Sequence, residues 1–335
     1  MNLMQAQAVV ATAPHQVAFQ SVEVPEPTPE DVIVRVHHSW ISNGTEGSFV
    51  RGERIAGDTP CAASDPLPFP HVPGYQKVGV VEWVGQNVSH LKAGDQVFAT
   101  MSKVEGMFYS SGGHVSPAVT HHSQVWKLPE HLNPVAVSGL VLTQVGYNVG
   151  IRPTLTAGDA AVVIGDGMVG HWAAQTLQHR GARVMMVGRH DERLQLFAAT
   201  DADRRVYANQ ENPLDAARTW APDGVQVVAD TVGSIHAIEA LYPIMRRNGH
   251  LVSAGFYGPR GLIDIQKMRD RELTLHAPAG WSQERMDATL QLMADGLLRT
   301  EHLITHRFPA AQAADAFNLI LTRQEPFLGI VLDWE

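Results

Sequence analysis

The chain has one cysteine, Cys61, in 335 residues. That excludes an intrachain disulfide and any metal site built from several cysteines. It has no basic block, and its formal net charge is -9, so sequence-independent nucleic-acid binding is not expected. No apolar run reaches membrane-spanning length, and the start lacks a basic-then-apolar signal pattern. A cytoplasmic protein with no membrane partner is therefore expected. Internal repeats and low-complexity tracts are absent as well. Charged residues at 18% and hydrophobic residues at 44% are the proportions of an ordinary globular chain, not a disordered one. At this length a single core is improbable, and two domains are expected.

What is present begins with AAVVIGDGMVGHWAAQTLQHRGARVMMVGRHDER, residues 160–193. An apolar run over 160–164 predicts a buried strand. Gly165, Gly167 and Gly170 then form G-x-G-x-x-G, a helix is predicted through about His179, and a second buried strand over 182–187. This is a βαβ opening of the dinucleotide-binding kind. Gly165 permits the tight turn, Gly167 lets the backbone approach a pyrophosphate, and Gly170 lets the helix pack on the strand. The phosphates are expected at the helix N-terminus, beside Met168 and Val169, where backbone N–H groups and the helix dipole favour an anion. NAD-specific folds usually carry Asp or Glu after the second strand. Here Gly188, Arg189 and His190 follow, with Arg193 one helical turn on, and no carboxylate is expected at the ribose. Arg189 suits a forked pairing with a 2′-phosphate. NADP(H) is the expected cofactor, with NAD(H) the alternative.

The N-terminal third reads as short strands with tight turns, including 7–13, 31–36, 74–84, 91–100 and 112–128. A proline-rich loop covers 61–73. A single helix over 133–150 is predicted to lead into the nucleotide domain. After it, strands at 225–229, 249–255 and 272–277 alternate with helices at 234–245, 284–296 and 310–322, and a last strand covers 329–332. In open α/β sheets ligands bind beyond the carboxyl ends of the strands. Thr231 in the turn at 230–233, Gly255 at the end of the strand 249–255 and Phe256 in the loop at 256–261 should face the cofactor. The predicted class is α/β: a β-rich domain (1–132 and 278–335) and a doubly wound parallel Rossmann sheet (133–277). The pairs His37/His38 and His121/His122 sit on strands, where neighbours point to opposite faces, so no metal site is expected from them.

This order of motifs resembles the medium-chain dehydrogenase/reductase superfamily across essentially the whole chain. The resemblance rests on Asn43-Gly44-Thr45-Glu46, Pro73-Gly74-Tyr75-Gln76 with Gly79 and Val84-Gly85, Lys92-Ala93-Gly94-Asp95-Gln96-Val97, Gly113-His114, Lys127-Leu128-Pro129 and the glycine motif. It implies a GroES-like catalytic domain beside the Rossmann domain, and a homodimer acting on a small molecule. Zinc alcohol dehydrogenases of the superfamily have Cys-Gly-Thr-Asp where this chain has Asn43-Gly44-Thr45-Glu46, and Gly-His-Glu at Gly74-Tyr75-Gln76. Asn43 thus replaces the thiolate ligand and Tyr75 the imidazole. The third ligand normally follows the Lys-Leu-Pro stretch, yet no Cys, His, Asp or Glu lies between His131 and Asp159. A catalytic zinc needs three such donors, so no metal is expected. Gly-Thr-Glu and Pro-Gly-Tyr are most similar to the zinc-free group around bacteriochlorophyllide dehydrogenases, which resemble alcohol dehydrogenases in oxidising a secondary hydroxyl to a ketone.

The expected activity is zinc-independent hydride transfer between NADP(H) and a secondary alcohol or ketone. Reduction of activated C=C bonds, as in quinone and enoyl reductases, is the alternative, and a non-enzymatic NADPH-binding sensor a third reading. Without zinc, hydrogen-bond donors must handle the substrate oxygen. Thr45 matches the family's hydroxyl relay position. Tyr75 is a candidate acid if a cation lowers its pKa, and Asn43, with Gln76, a candidate to orient the carbonyl. Glu46 is read as holding Lys77 or a water, and His114 as packing or capping. The loop at 53–69 and the aromatic residues Trp40, Phe49, Phe108, Tyr109 and Trp281 point to a roomy, partly aromatic pocket.

Overall fold

The computed structural model describes residues 3–258 and 261–334. The chain divides into two compact units, Met1–Val141 with Thr300–Glu335, and Leu142–Arg299. These boundaries fall later than the expected 132/133 and 277/278. The helix Gln283–Ala294 lies in the second unit, where Arg285 Nε donates to Gln144 Oε1 at 2.8 Å. In the same unit Trp172 Nε1 donates to the Arg299 carbonyl at 3.2 Å.

In the first unit the strand Asp31–Ile41 is the spine. It pairs antiparallel with Lys77–Val84, Gly329–Asp333 and Ala118–His121. The larger sheet continues through Gln96–Ala99 to Val125–Lys127 on one side and Ile304–Pro309 on the other. A three-stranded sheet joins Val115–Ser116, Leu3–Ala13 and Gln16–Pro25. Alternation sets the spine's faces: Val32, Val34 and Val36 are fully buried while Arg35 between them is exposed. Each buried valine contributes about 1.5–3 kcal/mol, and they share one core with Val81, Val119, Phe317 and Ile320. The terminal strand Gly329–Asp333 places Ile330 opposite Ile41, so the chain's end completes this unit.

The second unit is a six-stranded parallel sheet. Its strands Ala160–Ile164, Arg183–Gly188, Arg204–Tyr207, Val225–Asp230, Met245–Ser253 and Thr274–His276 lie in the order 3-2-1-4-5-6. This is the doubly wound order expected of a dinucleotide-binding fold. Every residue of Ala160–Ile164 is buried. A strand covered on both faces reads as one apolar run. The helix Met168–His179 follows it and buries Trp172, Ala173, Ala174 and Leu177.

Several elements differ from the sequence reading for local reasons. The helix expected over 133–150 is two, Pro134–Val137 and Leu140–Ile151. At the break stands Gly139, where a Cβ would lie 2.9 Å from the Trp40 ring. The helix expected over 234–245 ends early, as Ile235–Ala240 followed by a 3₁₀ turn Tyr242–Ile244, because Pro243 has no N–H to continue it. The segment 43–50, for which the sequence predicts no element, is the helix Asn43–Val50. Of the loop expected at 256–261, residues 259 and 260 lie outside the described residues.

Candidate active site

The helix Asn43–Val50 opens on Ser42, whose own side chain makes no cap. Instead Glu46 reaches back, and the Ser42 N–H donates to its Oε1 at 2.7 Å. The other oxygen, Oε2, is 2.8 Å from His114 Nε2. His114 Nδ1 is 2.8 Å from Ser39 Oγ, and Trp334 Nε1 donates to that same oxygen at 2.8 Å. Glu46, His114 and Ser39 are all buried. One proton assignment satisfies the whole network: Trp334 donates to Ser39, Ser39 to His114 Nδ1, and His114 Nε2–H to an ionised Glu46. Low local dielectric makes such a closed network stiff, and costly to break. His114 is thus the partner of Glu46. Lys77 is not: its Nζ donates to the Thr100 carbonyl at 2.5 Å, and burial pulls the amine down to about 7.

Tyr75 is brought to this network. Its hydroxyl bonds the side chains of Ser42 and Thr45 and lies within reach of the Glu46 charge. Burial first, and the Glu46 charge with it, push the phenol up to about 12, against the pull of those hydrogen bonds and of Arg54. The cation-lowered phenol considered from the sequence is therefore corrected: Tyr75 is held as a neutral phenol. Asn43 Nδ2 donates to the Leu328 carbonyl at 2.5 Å. Its Oδ1 is buried and has no hydrogen-bond partner among the described residues, an orphaned acceptor that a substrate hydroxyl or a water would satisfy. Gln76 is directed elsewhere, its Nε2 donating to the Trp40 carbonyl at 3.1 Å.

Aromatic residues separate into two groups. Trp40 is fully buried core. Phe49, Phe69, His71 and Tyr109 cluster, with His71 5.2 Å from Phe69 and 5.5 Å from Tyr109 between ring centroids. Tyr109 also donates to the Ile55 carbonyl at 2.6 Å, which ties the loop at 53–69 to that cluster.

The second unit gathers the expected dinucleotide residues at the carboxyl ends of its strands. Gly165 has φ +118, and the Thr231 hydroxyl would lie 2.3 Å from a Cβ there. A Cβ on Gly170 would lie 2.1 Å from the Gly165 carbonyl oxygen, so the helix can approach its strand only with glycine at 170. At Gly167 a Cβ would meet nothing within 4 Å, and Gly167 caps the helix with no side-chain bond. This is an open cradle at a helix start, which fits a pyrophosphate. At that start Met168 is buried and Val169 half-buried. Thr231 Oγ1 donates to the Ile164 carbonyl at 2.9 Å and braces the loop. Gly255 and Phe256 pack main chain to main chain against Gly233, where a Cβ on Gly255 would lie 1.9 Å from the Gly233 nitrogen.

At the ribose end the structure corrects the sequence reading. A carboxylate is present, supplied by Asp166 from within the glycine loop. Its Oδ2 accepts from the Arg189 and His190 N–H groups, each at 2.8 Å. His190 Nδ1 is 3.0 Å from both oxygens, and Arg193 Nη1 is 3.8 Å from Oδ1. Burial opposes its ionisation, but the His190 and Arg189 donors outweigh burial and hold the carboxyl below its ordinary value. The Arg189 side chain is exposed and makes no ion pair among the described residues.

One of the two histidine pairs departs from expectation. His121 and His122 do not point apart: their rings stack with centroids 4.6 Å apart, because a 3₁₀ turn His122–Gln124 ends the strand between them. Among the described residues no group of three or more His, Cys, Asp or Glu is placed to hold a metal ion. The donors at the zinc position are an amide bound to a carbonyl and a phenol bound to two hydroxyls. They do not fit a catalytic zinc. Among the described residues no helix is long and apolar enough to cross a membrane.

Two family models match the chain: the alcohol dehydrogenase GroES-like domain over residues 28–130, and zinc-binding dehydrogenase over 168–295. The chain belongs to the medium-chain dehydrogenase/reductase superfamily. It is an oxidoreductase of the zinc-type alcohol dehydrogenase family within it. This superfamily member is 27% identical to the 2-desacetyl-2-hydroxyethyl bacteriochlorophyllide A dehydrogenase of Cereibacter sphaeroides, over 99% of both chains. In fold it is similar to a zinc-binding dehydrogenase structure from Sinorhizobium meliloti 1021 bound to NADP, with TM-score 0.83, 18% identity and coverage of 98% and 99% of the two chains. It is equally similar to a short chain alcohol dehydrogenase from Escherichia coli CFT073 complexed with NADH, with TM-score 0.82, 20% identity and the same coverage.

Proposed function

We propose that the protein is a zinc-independent dehydrogenase that moves a hydride between NADP(H) and a secondary alcohol or its ketone. One observation carries the reading: the zinc-ligand positions hold two half-buried neutral side chains, Tyr75, bonded to Ser42 and Thr45 beside the Glu46–His114 pair, and Asn43, bonded to the Leu328 carbonyl. The nicotinamide, when bound, supplies or accepts the hydride. Tyr75, neutral because burial holds its phenol at about 12, donates a hydrogen bond to the substrate oxygen and stabilises negative charge as it develops there. Thr45, half-buried, relays the alcohol proton through its hydroxyl to water on oxidation and from water on ketone reduction, and the orphaned Asn43 Oδ1 accepts a hydrogen bond from the alcohol hydroxyl. Glu46, fixed by His114 and the Ser42 N–H, holds this arrangement.

NADP(H) is favoured over NAD(H) by the exposed Arg189 at the end of the second Rossmann strand, with His190 and Arg193 offsetting the Asp166 charge beside it, and by Asp166 being occupied by main-chain donors instead of open to a ribose hydroxyl. A secondary alcohol is favoured by the similarity to the bacteriochlorophyllide dehydrogenase, whose name describes a hydroxyethyl substrate. We infer a homodimer from the edge strand Thr274–His276, which carries Leu275 39% exposed. The single cysteine suits the cytoplasm.

Cofactor absorbance in a substrate panel tests the reading. Secondary alcohols with NADP+ and ketones with NADPH should turn over. Turnover confined to enones would favour C=C reduction, and cofactor binding with no turnover would favour a sensor.

A further inference from the structure

We propose that Asp166, between the first two glycines of the loop, is a positioning residue for cofactor selection: it locks the turn at Arg189 and His190 so that Arg189 is presented to a 2′-phosphate. The inference rests on the NADP(H) reading above.

Two successive main-chain N–H groups aimed at one point form a nest for an anion. At the end of the strand Arg183–Gly188 that nest is filled from inside the protein, by Asp166 Oδ2 at 2.8 Å from both nitrogens. The far side of the same peptides is held too. Asn209 Nδ2 donates to the Arg189 carbonyl at 3.1 Å, and the Ala208 N–H to the Gly188 carbonyl at 2.8 Å. The main chain of Arg189 is therefore fixed from both faces.

Gly188 is part of the same device. A Cβ there would lie 2.4 Å from Asp166 Oδ2, so any larger residue would push the carboxylate out of the nest. Charge is arranged to match. Asp166 is balanced by the two N–H dipoles, by His190 and by Arg193. It does not draw on Arg189, whose guanidinium stays exposed at the turn. A carboxylate so saturated is a scaffold for the turn. It is not an acceptor for a ribose hydroxyl.

The test uses the full-length protein and fragments that report on the adenosine end alone: adenosine 2′,5′-bisphosphate against AMP, alongside NADPH against NADH. Affinities are measured by calorimetry for the wild type, Asp166→Ala, Asp166→Asn and Gly188→Ala, each with its melting temperature. The wild type should prefer the phosphate-bearing member of each pair. Asp166→Ala should reduce that preference about tenfold or more by weakening the bisphosphate, with AMP changed by less than about threefold. Gly188→Ala should behave like Asp166→Ala. Asp166→Asn, which keeps an oxygen for both N–H groups, should retain most of the preference.

Tighter bisphosphate binding in Asp166→Ala would mean the carboxylate merely repels phosphate, and would overturn the proposal. So would equal weakening of both fragments, the mark of a general structural role. A wild type that prefers AMP would remove the NADP(H) reading itself. A wild type that prefers the bisphosphate, with the ratio unmoved in the variants, would remove this inference alone.

Discussion

Each unit buries one carboxylate against an imidazole, and the two pairs differ in what lies on the far side of the ring. Glu46 meets His114, which is 0% exposed and passes on to Ser39 and Trp334. Asp166 meets His190, whose side chain is 48% exposed. Both carboxylates also accept main-chain N–H groups at the start of a helix or turn. The first pair is closed on every side and builds a rigid interior against which Tyr75 is held. The second is closed on one side and shapes a surface turn. The same chemical pairing thus stiffens an interior in one place and shapes a surface turn in the other, which on the proposed function are the catalytic frame and the cofactor-reading edge.

Breaking the closed pair should have the largest effect. Glu46→Ala strands His114 and the Ser42 N–H in the interior and should cost about 3–5 kcal/mol of stability. Asp166→Ala, with a half-exposed partner, should cost clearly less. Urea unfolding of both variants checks this, and equal losses would erase the distinction between the two pairs.

Tyr75→Phe comes next. If the phenol donates to the reacting oxygen, kcat should fall about 10²–10³-fold with melting temperature and cofactor affinity little changed. If it only fills space, stability should fall by about 1–3 kcal/mol while turnover persists. Because the phenol is held at about 12, the wild-type kcat profile should show no Tyr75 ionisation between pH 6 and 10.

Lys77 sharpens the picture of the first unit. Its amine titrates near 7 when folded and at its ordinary 10.5 when unfolded. The unfolded chain therefore binds more protons between those values. Stability should rise with pH across that window, by an amount on the order of a few kcal/mol. Lys77→Met should lack this slope and be the more stable protein below pH 7, as read from melting temperatures at matched pH. Smallest is Arg189→Ala, which should weaken NADP(H) by about 1.5–3 kcal/mol and leave NAD(H) nearly unchanged. Parallel titrations measure it, and equal weakening would mean Arg189 does not meet the phosphate.

The sequence shows the Rossmann half well because its signals are local. Ala160–Ile164 is a continuous apolar run, the glycines are spaced by the turn itself, and strand order follows from the alternation. The helix Asn43–Val50 is hidden because Asn-Gly-Thr-Glu-Gly-Ser carries no apolar face and two of its residues are poor helix formers. The decisive site contacts join residues far apart in the chain. Glu46 and His114 are separated by 68 positions and Asp166 and His190 by 24, so no periodicity can report them. Asp166 carries no such signal, because a ribose-reading carboxylate is expected after the second strand, and here the charge reaches that turn from the loop before the helix. Lys77 sits at a strand position like its valine neighbours, and nothing in its spacing says that it is fully buried.

On the proposed function, Tyr75, Thr45 and Asn43 handle the substrate oxygen in place of a metal. Zinc content and turnover, measured on the same sample before and after chelation, test it most directly. Zinc should lie far below one per chain, and turnover should be unchanged by the chelator. One zinc per chain, lost together with activity on chelation and restored together with it, would mean that a metal, not these three side chains, handles the oxygen.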